Sequence, residues 1–190
     1  IYDRLVGSEM CIRDRGGLDL LSGGLDEAGI PLDDDDLAEQ LLLLLFAGYE
    51  TTASSLSCLF RALLLNPEVE RWLRDGLASE AASARLDATV LEVMRLTPPV
   101  GGFFRRSLAP IELAGVAVPE GSVIQVVLSA TSAGDDEDLA AFRPQRHLDG
   151  SFKQTLLPFG GGERVCLGKA LAELEIRLMV VGLLQADLQF

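Results

Sequence analysis

Three short constellations in this chain could do chemistry, and the strongest is the loop FGGGERVCLG, Phe159 to Gly168. It carries one cysteine, Cys166, with Arg164 two positions before it and a helix-like run, Lys169 to Leu184, directly after it. A helix N-terminus and a neighbouring cation both favour the anionic sulfur, and thiolate is the form that binds metal. Gly160, Gly161, Gly162 and Gly168 add no core, so they mark a backbone that must bend or approach something closely. A small buried cysteine at a turn is the plain alternative. The second constellation is AGYETT, Ala47 to Thr52. Gly48 costs a helix about 1 kcal/mol relative to alanine, which is easier to understand if the helix widens there, as helices often do at functional sites. Beside it stand the carboxyl of Glu50 and the hydroxyls of Thr51 and Thr52. The alternative is a solvent-facing Glu50 and threonines bonded back to helix carbonyls. The third constellation is Glu92 and Arg95 in LEVMRL, at i,i+3 spacing. An exposed pair of this kind contributes only a few tenths of a kcal/mol, so spacing alone gives it no role.

The elements that must hold these groups read as mainly helical with a small β region. The acidic cluster Asp33 to Asp36 suits a helix start, and Asn66-Pro67 makes a stop and a cap for the next helix. A helix over Asp34 to Leu65 is about 48 Å long at 1.5 Å per residue. Leu41 to Ala47 is apolar on every side, which predicts a buried helix, and that run is shorter than the roughly 20 residues a bilayer needs. A helix follows Pro67, and another covers Ala84 to Leu96 until Pro98-Pro99 turns the chain extended. Short strands run from Phe103 to Leu128, with turns at Gly115 and at Pro119-Glu120-Gly121. A loop-rich stretch to Leu157, the cysteine loop and a last helix complete the order.

Composition narrows the partners. The 190 residues suit one domain, 48% of them hydrophobic, and the net charge of −13 argues against a nucleic-acid surface. Cys58 and Cys166 form no C-x-x-C pair, so no disulfide framework is expected, which fits a reducing, cytoplasmic setting. Cys58 reads as an inert core residue of the long helix. His147 is the sole histidine, which excludes zinc sites needing two. Residues 1–15 fit no folding pattern: LVGSEMCIRDR, Leu5 to Arg15, resembles a transposase sequencing adapter translated in frame, with a genuine helix end as the alternative. Cys11 is set aside with them, and residues 16–190 are taken as the domain.

Phe159, Gly162, Arg164, Cys166 and Gly168 match F-x-x-G-x-R-x-C-x-G, and this chain resembles the cytochrome P-450 superfamily, whose thiolate-ligated haem is a standard case of Cys ligation. The resemblance implies that Cys166 is the axial ligand of haem b iron and that Ala47 to Thr52 is the oxygen-binding segment. Thr51 would then hydrogen-bond dioxygen and Glu50 relay protons. Glu92 and Arg95 become a structural ion pair completed by Arg146 of FRPQRH. Arg105 and Arg164 become haem-propionate contacts, with Arg106 the poorer substitute for Arg105. His147 falls where relatives often have an aromatic. Asp135-Asp136-Glu137-Asp138 lacks the Asp-Pro signal usual at this point, which leaves the path of the following meander open. The implied fold is the C-terminal part of the cytochrome P-450 fold, truncated at both ends, with the first helices and the terminal β-hairpin outside it. The implied activity is insertion of one oxygen atom from O₂ into an apolar substrate, with electrons from NAD(P)H through a ferredoxin or flavoprotein reductase. PPVGGFFR and FGGGERVCLG are similar to the retinoic-acid-hydroxylase branch, which suggests a retinoid, terpenoid or sterol-like substrate. Two alternatives stand beside this: a haem-thiolate isomerase or peroxygenase needing no reductase, and a piece that binds no haem by itself. A membrane anchor stays an open question.

Overall fold

In the computed structural model, residues 23–25, 28–128, 137–153 and 155–186 are described; the segment 1–15 and Asp135-Asp136 lie outside them. The first helix, α1 (Asp34–Leu65), begins where the acidic cluster predicts. The Asp33 carboxylate accepts the Asp36 N–H at 2.9 Å, and three aspartates occupy the first turn, complementing the dipole. At the far end Asn66 stops α1 as read, but its side chain does not cap the next helix. The Asn66 amide instead donates back to the Ala62 carbonyl at 2.7 Å, closing α1 behind it. Pro67 then occupies the first position of α2 (Pro67–Gly76), where its missing N–H costs nothing.

Helix α3 (Ala82–Leu96) and the last helix, α5 (Lys169–Gln185), pack with α2 against the second half of α1. Leu59 and Leu63 of α1 meet Val69 and Leu73 of α2, Leu86, Val90 and Val93 of α3, and Ile176, Val180 and Val181 of α5 in one buried cluster. Each such side chain contributes about 1.5–3 kcal/mol through its burial. Cys58 lies half-buried at the margin of this core, as read. One ion pair and one charge-assisted hydrogen bond pin α5 in place: Arg177 Nε lies 2.6 Å from Asp87 Oδ1 of α3, and Arg74 of α2 donates to the Leu184 carbonyl. Helix α5 has no basic residue in its own last turn, so Arg74 supplies the cation its C-terminus favours.

The first half of α1 departs from expectation. Leu42 to Ala47 are exposed, Phe46 at 75% and Tyr49 beyond them at 80%, because α2, α3 and α5 all pack lower on the helix, at Ser55, Leu59 and Leu63. The apolar run identified a helix that needs covering, while the cover is not among the described residues. Taken over the whole of α1 rather than that run, an 18-residue window has mean hydropathy 1.3, enough by length and composition to cross a membrane.

The β region forms two small antiparallel pairs. β1 (Gly102–Arg106) pairs with β4 (Val123–Val127), and between them β2 (Ile111–Leu113) and β3 (Val116–Val118) make a hairpin. Ala114 and Gly115 turn that hairpin with φ of 47° and 81°, a two-residue loop whose twist suits paired strands. Gly121, at φ 82°, closes the second expected turn. Gly102 is required by closeness: a Cβ there would stand 2.3 Å from the Val126 carbonyl oxygen on the partner strand. Gly102→Ala is therefore expected to open the start of the β1–β4 pairing, with a loss of about 1–3 kcal/mol. Unchanged protection of the Leu128 and Val126 amides in hydrogen exchange would contradict this. After the one-turn helix α4 (Glu137–Ala140) the meander forms a 3-10 helix, Pro144–His147, which packs on α3.

Candidate functional site

The cysteine loop bends as its glycines allow. Gly160 and Gly162 take φ of 71° and 66°, and a short 3-10 turn, Gly162–Arg164, leads to the cysteine. The Cys166 N–H donates to the Phe159 carbonyl at 2.9 Å, which closes the loop on itself and fixes where the sulfur leaves the backbone. Lys169 starts α5 three residues on, and its N–H donates to the Cys166 carbonyl at 3.3 Å. The N-terminus of α5 thus follows the cysteine directly.

Cys166 is a free, exposed thiol, which removes the buried-turn alternative. Val165, Leu167 and Leu171 around it are exposed as well, Leu167 at 90%. Added Cβ atoms at Gly162 and Gly168 would meet nothing within 4 Å. The sulfur therefore stands on an open, apolar, low-relief surface. Among the described residues no group of three His, Cys, Asp or Glu could hold a bare metal ion. An iron held in a porphyrin needs no such group, because the macrocycle supplies its other ligands. The residues present fit thiolate-ligated haem.

The second constellation lies on α1, which packs against α5. Glu50 is exposed and Thr51 half-buried, with its Oγ1 donating to the Ala47 carbonyl at 2.8 Å. Ser55 does the same to the Thr51 carbonyl at 2.9 Å. The back-bonded arrangement is thus the one seen, and α1 runs through Gly48 as unbroken α-helix without the expected widening. The back-bond places the Thr51 hydroxyl against the helix wall within the ordinary i−4 pattern, so no local rearrangement is needed. The hydroxyl's donor is engaged while its oxygen can still accept. Gly48 leaves open space at its Cβ position.

Glu92 and Arg95 are not an exposed pair. Both side chains are fully buried, with Arg95 Nε 2.8 Å from Glu92 Oε2 and Arg95 Nη2 3.0 Å from Oε1. Arg146 reaches in from the 3-10 helix, its Nε 2.9 Å from Glu92 Oε1, so the three residues expected to form a network meet. Sequence reading missed the rest. The Arg143 backbone N–H donates to Glu92 Oε1 at 2.9 Å, and Asp138 holds Arg146 Nη1 at 3.1 Å. His147, read only as a polar meander residue, lies 2.8 Å from Glu92 Oε2 through its Nε2. An ionised carboxylate only accepts, so His147 Nε2 carries the hydrogen. Phe152 lines the cluster, its ring 5.3 Å edge-on from His147 and 5.7 Å below the Arg95 guanidinium. Burial by itself would raise the Glu92 pKa; the hydrogen bonds from His147, Arg95 and the Arg143 backbone outweigh it and bring it from 4.5 down to about 2.

The two candidate propionate ligands are apart from this cluster. Arg164 is exposed on the cysteine loop, and Lys169 lies with its Nζ 5.8 Å over the Phe159 ring. Arg105 is exposed on β1, stacked 4.3 Å over the Phe103 ring, with Nη1 donating to the Phe104 carbonyl at 2.9 Å. Arg106 points to the other strand face and donates to the Gly121 carbonyl at 3.2 Å.

With this geometry in view, the comparisons agree. The family model for cytochrome P-450 matches residues 10–186, and the chain belongs to that family. The match includes residues 10–15, part of the segment that reads like an adapter. The chain is 35% identical over 190 residues to cytochrome P-450 120 of Synechocystis sp., covering 90% of this chain and 43% of that one. To human cytochrome P-450 26B1 it is 34% identical over 194 residues, covering 87% and 38%. The solved structure of retinoic-acid-bound cyanobacterial CYP120A1 superposes with a TM-score of 0.78 at 34% identity, covering 88% of this chain and 43% of that one. This chain therefore spans less than half the length of these relatives. Its mainly helical architecture with small antiparallel strands is the part of the cytochrome P-450 fold that carries the cysteine loop.

Proposed function

We propose that this chain is the cysteine-bearing part of a haem-thiolate monooxygenase acting on a small apolar substrate. The observation that carries the reading is Cys166: exposed, set by its own loop at a helix N-terminus, with no three-ligand group for a bare ion among the described residues. Haem b, when bound, supplies activation of O₂ with electrons from NAD(P)H delivered through a ferredoxin or flavoprotein reductase. Cys166 would hold the iron through its sulfur and supply electron density to it. Arg105 and Arg164 receive the propionates, since a guanidinium binds a carboxylate through paired N–H donors. Phe159, Gly162 and Gly168 would shape the loop for close approach of a macrocycle, and Ala47 and Gly48 would leave α1 without bulk beside it. Glu50 and Thr51 hold and pass protons there. Glu92, Arg95 and Arg146 fix the meander to α3 and take no part in the chemistry.

The relatives support a substrate class. One solved relative is retinoic-acid-bound, and this chain is 34% identical to it over the part the two share, 43% of that chain. A retinoid, terpenoid or sterol-like molecule with an unactivated C–H or C=C bond is therefore the substrate we assign. The acid–alcohol pair Glu50-Thr51 favours reductase-driven oxygenation over an isomerase or peroxygenase reaction. Turnover by the full-length protein that requires NAD(P)H, a reductase and O₂ together supports this; product formed without the reductase sinks it. In the same assay Thr51→Ala should cut product by about 10²-fold while NAD(P)H is still consumed and peroxide appears. Coupled turnover at the unaltered rate would remove Thr51 from the proton path.

A further inference from the structure

Arg105 is exposed, yet it is not free to wander. Its guanidinium carbon lies 4.3 Å over the centre of the Phe103 ring, and one of its Nη1 hydrogens is given to the Phe104 carbonyl at 2.9 Å. Strand alternation puts residues 103 and 105 on one face of β1 and Phe104 and Arg106 on the other. The platform is itself held: Phe103 pairs with Val126 and Arg105 with Ile124 across the antiparallel register, next to the tight approach at Gly102. No carboxylate among the described residues meets Arg105. The ring contact takes up none of the N–H donors, and with one given to Phe104 four of the five remain uncommitted. A guanidinium held over a ring with most of its N–H donors uncommitted can take a carboxylate through paired hydrogen bonds.

We propose that Phe103 is a positioning residue: it holds the Arg105 guanidinium in the orientation that receives a carboxylate of the bound porphyrin. This rests on the reading of Arg105 as a propionate contact. The gain is in order rather than in contact. A long arginine side chain loses much rotamer freedom when it captures an anion, and a stack formed beforehand removes part of that loss. Arg106 lacks a place on this face, which explains why two adjacent arginines are not equivalent here.

The test compares haem with its dimethyl ester, in which both carboxylates are blocked, in the full-length protein. The rate at which each leaves to excess apomyoglobin is measured, and the ratio of ester to free-acid rates reports the carboxylate contacts. Arg105→Gln should lower that ratio. Phe103→Leu should speed loss of the free acid about 2- to 5-fold and leave the ester rate unchanged, while Phe103→Tyr restores the original ratio. If Phe103→Leu speeds both forms equally, or neither, the ring only packs and the proposal is wrong. If Arg105→Gln leaves the ratio unaltered, Arg105 is no carboxylate ligand, and the proposal falls with it. Circular dichroism of each variant separates these outcomes from loss of the β1–β4 pair.

Discussion

Glu92→Gln should destabilise the folded protein by about 3–5 kcal/mol, the cost of stranding buried charges, and for a domain of this size lower its melting temperature by on the order of 10 °C. Two arginines, a histidine and a backbone N–H converge on that one carboxylate. A neutral amide keeps the shape but leaves Arg95 and Arg146 without their shared counter-charge, and its NH₂ confronts donors. The acid limb of the stability curve gives an independent check. The folded Glu92 pKa, about 2, lies below its ordinary 4.5, so the stabilisation is complete above pH 4.5 and is lost as pH falls toward 2. That difference corresponds to on the order of 3 kcal/mol. The Gln variant should lack this part of the acid dependence. A variant costing under about 1 kcal/mol, with the same acid limb, would show the cluster to be no more than a surface pair.

Cys166→Ala should behave in the opposite way: stability within about 0.5 kcal/mol and a complete change in the haem spectrum. The side chain is exposed, so its removal opens no cavity. In the full-length protein the reduced carbonyl complex should show a strongly red-shifted Soret band, absent from the alanine variant. An unchanged band in Cys166→Ala would rule out the sulfur as the ligand. The two variants together separate the scaffold from the site, because each moves one measurement and leaves the other still.

Local chemistry was legible wherever the sequence itself supplies the cause. Asp33 and its acidic successors start α1, Pro67 opens α2, and Ala114-Gly115 turns the hairpin, all from contacts within a few residues. The cysteine loop could be read for the same reason: its glycines, Cys166 and the following helix are contiguous. Contacts between distant residues were not legible without the resemblance. His147 meets Glu92 across 55 positions, and only the adjacent, expected Arg146 hinted that the same turn might deliver a second donor. The expected burial of Leu41 to Ala47 failed for a different reason. Hydrophobicity says that a surface prefers cover, not whether the covering element belongs to the same stretch of chain. At Gly48, helix propensity signalled an oddity, but the back-bond from Thr51 to Ala47 is compatible with a regular helix.

Helix α5 is fastened at three heights: the Cys166 N–H to Phe159 at its root, Arg177 to Asp87 along its shaft, and Arg74 to the last-turn carbonyl of Leu184. A rod fixed in this way cannot slide along its axis without rupturing charged contacts with two other helices. A haem iron held by Cys166 would accordingly hang from a stiff mount, its ligand tied to the helical core and not to the substrate side.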